Sequence, residues 1–149
     1  MTTVSQGSTT FILDPEPTPE LDLGARDLDL LVFDTTHQTA DPLVDWLLDG
    51  TTRLFEEFRV RLTTSGLARP VSVLFLDAGD DDRAPLVEAT FASVQATALS
   101  LALEYPRTRI TVLRAHRSQL ESIQDTADFL SSDASAYVTA TTIDLRSAS

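Results

Sequence analysis

Three places in this chain gather side chains able to do chemistry. Asp34 closes an apolar run at residues 30–34, and a carboxylate at the end of a buried strand can act as a nucleophile or hold magnesium. Asp77, Asp80, Asp81 and Asp82 crowd one stretch, an oxygen-rich set of the kind hard cations take. Their order, Asp-Ala-Gly-Asp-Asp-Asp, lacks the alternating ligand spacing of a calcium-binding loop. A solvated loop with one Asp capping the helix expected from Ala84 accounts for it better. His37 and His116 each follow an expected strand. With no cysteine in the chain and no well-spaced carboxylates beside them, they make a poor metal set, and exposed loop positions account for both. No metal site is expected.

Composition narrows the chemistry further. The chain has 149 residues, enough for one domain with its own core. A formal charge of -12 disfavours nucleic acid and anionic membrane as partners, because their phosphates would be repelled. All 11 basic residues are arginine. Without lysine there is no P-loop ammonium and no Schiff-base amine. Without cysteine there is no disulfide or thiolate. No apolar run is expected to reach the length of about 20 residues that spans a bilayer, and the Thr-rich, acidic N-terminus does not read as a signal peptide. A cytoplasmic location is the expectation.

These groups must be positioned by an alternation of strands and helices. Residues 1–28 read as an arm, with a short strand at 10–13 and a Pro-rich acidic linker at 14–20. Residues 29–149 read as the domain. Apolar runs at 27–34, 71–76, 109–113 and 137–145 have the character of buried parallel strands. Apolar residues at helical spacing, Leu43, Val44, Leu47, Leu48, Leu54, Phe55, Phe58 and Leu62, predict a helix over 41–64, weakened midway by Gly50. A second long helix is predicted over 84–105 and a short one over 125–131. Such an order implies βαβ units and an α/β domain with its ligand-binding loops along one sheet edge.

The stretch 86–114, LVEATFASVQATALSLALEYPRTRITVLR, resembles the catalytic helix and following strand of the short-chain dehydrogenase/reductase family. The resemblance, nearest to the 3-oxoacyl-carrier-protein reductase branch, extends through Ala127-Asp128-Phe129-Leu130-Ser131-Ser132-Asp133, then Tyr137-Val138-Thr139 and Thr142-Ile143-Asp144-Leu145. It implies a Rossmann-like parallel sheet flanked by helices. Counting back from Leu101-Ala102-Leu103-Glu104, however, places Val87 and Phe91 where that family carries a Tyr-x-x-x-Lys pair. No serine lies between Ser72 and Ser93, where the catalytic serine would fall. Asp34-Thr35-Thr36 replaces Asn-Asn-Ala-Gly, and Ala140 replaces a glycine. Ahead of the first buried strand only Gly7 and Gly24 occur, so there is no glycine-rich turn to cradle a pyrophosphate. The 28 residues there are too few for the missing βα units, so the resemblance implies a truncated domain.

Ketone reduction in this family needs a phenol, a lysine that lowers its pKa and a hydroxyl on the carbonyl. The resemblance therefore implies a pseudoenzyme with no catalytic residues and no NAD(P) or other cofactor. Its expected role is a subunit that pairs with a complete reductase of fatty-acid or polyketide type, stabilising or positioning it. The pairing surface is expected on the two long helices, through Trp46, Leu54, Phe58, Val87, Phe91, Val94, Ala98, Leu101 and Tyr105. Burial of the same residues within one subunit is the competing expectation. Two other readings stay open. One is a homo-oligomeric scaffold or small-ligand binder. The other follows from Leu31-Val32-Phe33-Asp34-Thr35-Thr36, which is similar to the strand-end signature of haloacid-dehalogenase phosphatases and implies a metal-dependent enzyme using Asp34.

Overall fold

A computed structural model describes residues 7–12, 27–36, 43–64, 69–77, 84–135 and 138–146. Asp80–82, His37 and the linker at 14–20 lie outside these residues. Five strands form one wholly parallel sheet: β1 (Thr9–Phe11), β2 (Asp29–Asp34), β3 (Val71–Asp77), β4 (Ile110–His116) and β5 (Thr141–Asp144). Three α-helices accompany them: α1 (Leu43–Thr64), α2 (Ala84–Glu104) and α3 (Leu120–Leu130). The sheet is α/β and Rossmann-like, as the alternation predicts.

Strand order follows chain order, β1-β2-β3-β4-β5, so every connection steps the same way across the sheet. The two faces are nevertheless covered differently. Leu31, Phe33, Val73, Phe75 and Val112 pack under α1 and α2. Leu30, Val32, Leu74, Leu76, Leu113 and Ala115 pack on the opposite face with α3, through Ile123, Ala127 and Leu130. The β4–α3–β5 crossover therefore has the opposite hand to the two before it. Right-handed crossovers are nearly universal, so this last step is the exceptional one.

Central strands are apolar on both sides because both faces are covered. Polar groups among them are paired: the Ser72 and Thr111 hydroxyls meet at 2.5 Å across β3 and β4. α1 runs without interruption past Gly50. Thr51 and Thr52 return their hydroxyls to the carbonyls of Leu47 and Leu48, which satisfies them without ending the helix.

β1 takes the sheet edge beside β2. Thr9, Thr10 and Phe11 pair with Leu30, Leu31 and Val32. Side chains reinforce this short pairing. Asp29 Oδ1 accepts from the Ser8 amide at 3.0 Å, and Arg61 on α1 donates to the hydroxyls of Ser8 and Thr10. Arg53 donates to the Ile12 carbonyl at 3.1 Å.

The expected pairing surface needs correction. Trp46, Leu54, Phe58, Val87, Phe91, Val94 and Ala98 are buried in this chain's own core beneath α1 and α2, with Leu101 packed against them. Tyr105 is half-buried. Periodicity identified the apolar stripe, but a sheet of the same chain covers it. Among the described residues, the large apolar side chains that α1 and α2 expose are Val44, Leu48, Val60, Leu86 and Leu103.

A second correction concerns α2 itself. Its stretch Pro85–Glu104 is long and apolar enough to cross a membrane by length and composition. Alanines, serines and threonines between the larger residues disguise this in the sequence. In the fold, α2 lays its Val87, Phe91, Val94 and Ala98 side on the sheet, as a core helix does.

Candidate functional site

Ligands of parallel α/β sheets bind beyond the carboxyl ends of the strands. Here those ends carry two groups of charged side chains on opposite faces. Alternation along each strand decides the face. Asp77, Arg114, His116 and Asp144 fall on the α2 side, whereas Asp34 falls on the α3 side.

Arg114 organises the first group. It is buried, and its Nε donates to Asp77 Oδ2 at 3.0 Å. Its two terminal nitrogens grip the Glu88 carboxylate of α2, at 2.9 Å for Nη1 to Oε2 and 2.5 Å for Nη2 to Oε1. The cation lies over Phe91 and near Phe75, with the guanidinium carbon 4.3 Å and 5.6 Å from their ring centres, and the two rings themselves meet edge to face at 5.2 Å. Arg146, just beyond β5, holds Asp144 through Nε and Nη2 at 3.0 Å and 2.8 Å and reaches Asp77 Oδ2 at 3.4 Å. His116 Nδ1 lies 3.0 Å from Asp77 Oδ1 and 3.2 Å from the Asp77 carbonyl.

These contacts tune the acids. Hydrogen bonding to Arg114 holds the Glu88 carboxyl below its ordinary value, with the charges of Arg114 and Arg146 adding to this against a burial effect. Asp144 is lowered in the same way by Arg146, and Arg146 is raised in return by Asp144.

The second group is smaller. Asp34 is 1% exposed. Its Oδ1 accepts from the Thr36 amide at 2.8 Å and from the Thr36 hydroxyl, and its Oδ2 pairs with Arg117. Thr35 turns inward, its hydroxyl donating to the Leu76 carbonyl at 2.6 Å. Both oxygens of Asp34 are thus committed within the chain, which suits a strand-end turn better than a nucleophile. Among the described residues no group of three or more His, Asp or Glu side chains is placed to hold a metal ion.

Of the residues that the sequence singles out, Asp77 and His116 meet at the edge while Asp34 stands apart. Arg114, Glu88, Asp144 and Arg146 were missed. Arg114 carried a signal, as the one charged residue inside the apolar run of β4 and in step with the core-facing Ile110 and Val112. Nothing in the sequence marks Glu88 as its partner, since that pairing depends on how α2 crosses β4.

No protein-family profile and no curated protein sequence matches this chain. Solved structures do share its architecture. BdcA (YjgI) from E. coli superposes with a TM-score of 0.61 at 17% identity, over 78% of this chain and 59% of that one. A gluconate 5-dehydrogenase from Burkholderia cenocepacia J2315, in complex with NADP and tartrate, gives 0.54 at 16% identity, over 79% and 63%. The fold is short-chain-dehydrogenase-like. The chain spans about three-fifths of the length of either structure.

That likeness raises the question of a dinucleotide. In doubly wound sheets the first strand leads into a glycine-rich turn under the pyrophosphate. β1 holds the sheet position beside β2 that such a strand would take, but Ile12-Leu13-Asp14-Pro15-Glu16 follows it. Ile12 continues the ladder by donating to the Val32 carbonyl at 2.9 Å. That stretch has two acids and no glycine, so it does not match the glycine-rich turn that cradles a pyrophosphate.

Proposed function

We propose that this protein is a non-catalytic, short-chain-reductase-like subunit that associates with a complete reductase of the same fold and stabilises or positions it. A ketoreductase of fatty-acid or polyketide type is the partner that the sequence resemblance suggests. One observation carries the non-catalytic reading. Val87 and Phe91 stand at the positions that counting assigns to the family's tyrosine and lysine; both are packed in the core, and Phe91 stacks on the buried Arg114. Neither side chain offers a phenol, ammonium or hydroxyl to polarise a carbonyl.

Support for association comes from the outer faces of α1 and α2. Leu103 is 81% exposed and Leu48 61%. A groove of about 200 Å³ between the helices is lined by Val44, Leu48, Leu86, Ala89 and Ser93, among others. Between Glu88 and Glu104, α2 carries no charged residue, in a chain of which 23% is charged. Exposed apolar surface of this kind marks contact sites.

The reading is tested by purifying the tagged chain from its native host. A full-length reductase at fixed stoichiometry is the expected result, lost in the Leu48→Glu, Leu103→Glu double variant. Recovery of the chain alone, monodisperse and with no reductase, would sink the proposal.

A further inference from the structure

The ion-pair cluster on the α2 face leaves one side chain with an unused function, and that side chain is His116. Its Nδ1 faces two acceptors at once, Asp77 Oδ1 at 3.0 Å and the Asp77 carbonyl at 3.2 Å. Two acceptors can be met only by an N–H. The neutral ring must therefore carry its proton on Nδ1, since the bond made by one nitrogen sets the state of the other. Asp77 itself is fixed from behind by Arg114 Nε. Its Oδ1 is buried and makes no aligned hydrogen bond among the described residues, so the 3.0 Å approach of Nδ1 is a close contact, and the hydrogen bond of Nδ1 goes to the Asp77 carbonyl.

The backbone at this point is equally constrained. The His116 amide donates to Gln119 Oε1 at 2.9 Å, and Gln119 Nε2 donates to the Leu145 carbonyl at 2.7 Å. The loop after β4 is thereby tied to the end of β5. With Nδ1 turned to Asp77, ring geometry directs Nε2 away from it. The imidazole is 37% exposed, and among the described residues Nε2 has no partner. An oriented, unprotonated Nε2 at the carboxyl edge is an acceptor held ready for a donor.

We propose that His116 Nε2, oriented by Asp77, is a binding position for a small molecule that donates an O–H or N–H and carries no negative charge. The surrounding charges select this class. Among the described residues, Asp77, Glu88 and Asp144 face Arg114 and Arg146, whose guanidiniums are already engaged by those carboxylates. With neutral His116 these five residues keep one uncompensated negative charge. It repels an anion and tolerates a neutral or cationic donor. This site is independent of the outer helix faces and stands whether or not a reductase partner is found.

Nitrogen-15 NMR of the imidazoles tests it, with His37→Gln used to assign the His116 signals. At a pH where the ring is neutral, the spectrum is expected to show Nδ1–H with Nε2 unprotonated. Adding ethanolamine, a cationic donor, is expected to shift the Nε2 resonance, while malonate at equal ionic strength does not. The shift is expected to disappear in Asp77→Asn. A predominant Nε2–H tautomer in the wild-type chain overturns the proposal, and that measurement needs no altered protein. So does a shift with neither probe, with malonate alone, or with both alike.

Discussion

The Arg114 guanidinium carbon lies 4.3 Å from the centre of the Phe91 ring. Phe91 thus stacks a buried structural cation. Its charge is spent on Asp77 and Glu88. Arg114→Ala would leave Asp77 buried without its main partner, and breaking a buried pair from one side costs about 3–5 kcal/mol. Urea unfolding should show that loss. Replacing both partners, Arg114→Met with Asp77→Asn, should recover a good part of it, because no buried charge is left unpaired and Glu88, more than half exposed, keeps Arg146 at 3.7 Å.

Reinstalling the family's chemistry should fail for the same reason. Phe91→Lys introduces a second cation against Arg114 in a core position, and Val87→Tyr forces a phenol under a packed helix. Overpacking alone costs about 1–3 kcal/mol. The double variant is expected to unfold at lower urea concentration and to show no ketone reduction with NADPH. A folded, active reductase would show that the site is merely missing two side chains.

Acid should weaken the fold through Glu88 and Asp144. Both have folded-state pKa values below their ordinary 4.5 and 3.8, held down by Arg114 and Arg146. A depressed carboxyl contributes stability that is complete above its unfolded value and is lost as pH falls through the lower folded value. The urea midpoint should therefore stay level towards neutrality and fall below about pH 4.5. Glu88 is more than half exposed, so solvent screening trims its share. In Glu88→Gln the acid limb should be shallower, and an unchanged limb would remove Glu88 from the account.

Strands and helices were legible because period and run length declare them. The short strand near residue 10 was legible too, but its pairing with β2 was not. Function-bearing geometry was less so. An apolar stripe such as Val87, Phe91, Val94 and Ala98 records that something covers it, not whether the cover is the same chain or another. Val94 is 0% exposed, so Val94→Glu would unfold the protein and reveal nothing about assembly. The Asp77–Arg114–Glu88 cluster joins residues from two strands and a helix, and the register of β3 on β4 together with the path of α2 over β4 brings them together. Ala140 is an intermediate case. The family resemblance implies a glycine there, but the cost of an alanine becomes visible only in the backbone.

That cost supplies the last prediction. Ala140 has φ of 54° just before β5, in the left-handed region where a Cβ crowds the following carbonyl. Its amide is fixed there by the Ile110 carbonyl at 2.8 Å, so the conformation cannot relax without loosening β5. For an ordinary residue the strain is about 1–2 kcal/mol. Glycine would remove it and give back part through the greater freedom of the unfolded chain, about 0.4–1 kcal/mol. Ala140→Gly is therefore expected to stabilise the protein by somewhat under about 1 kcal/mol. Equilibrium unfolding in urea reads this directly, and a destabilised variant would mean that β5 does not hold Ala140 in the strained state. Ala140→Val should act in the opposite sense and more strongly, since a β-branched side chain tolerates positive φ least.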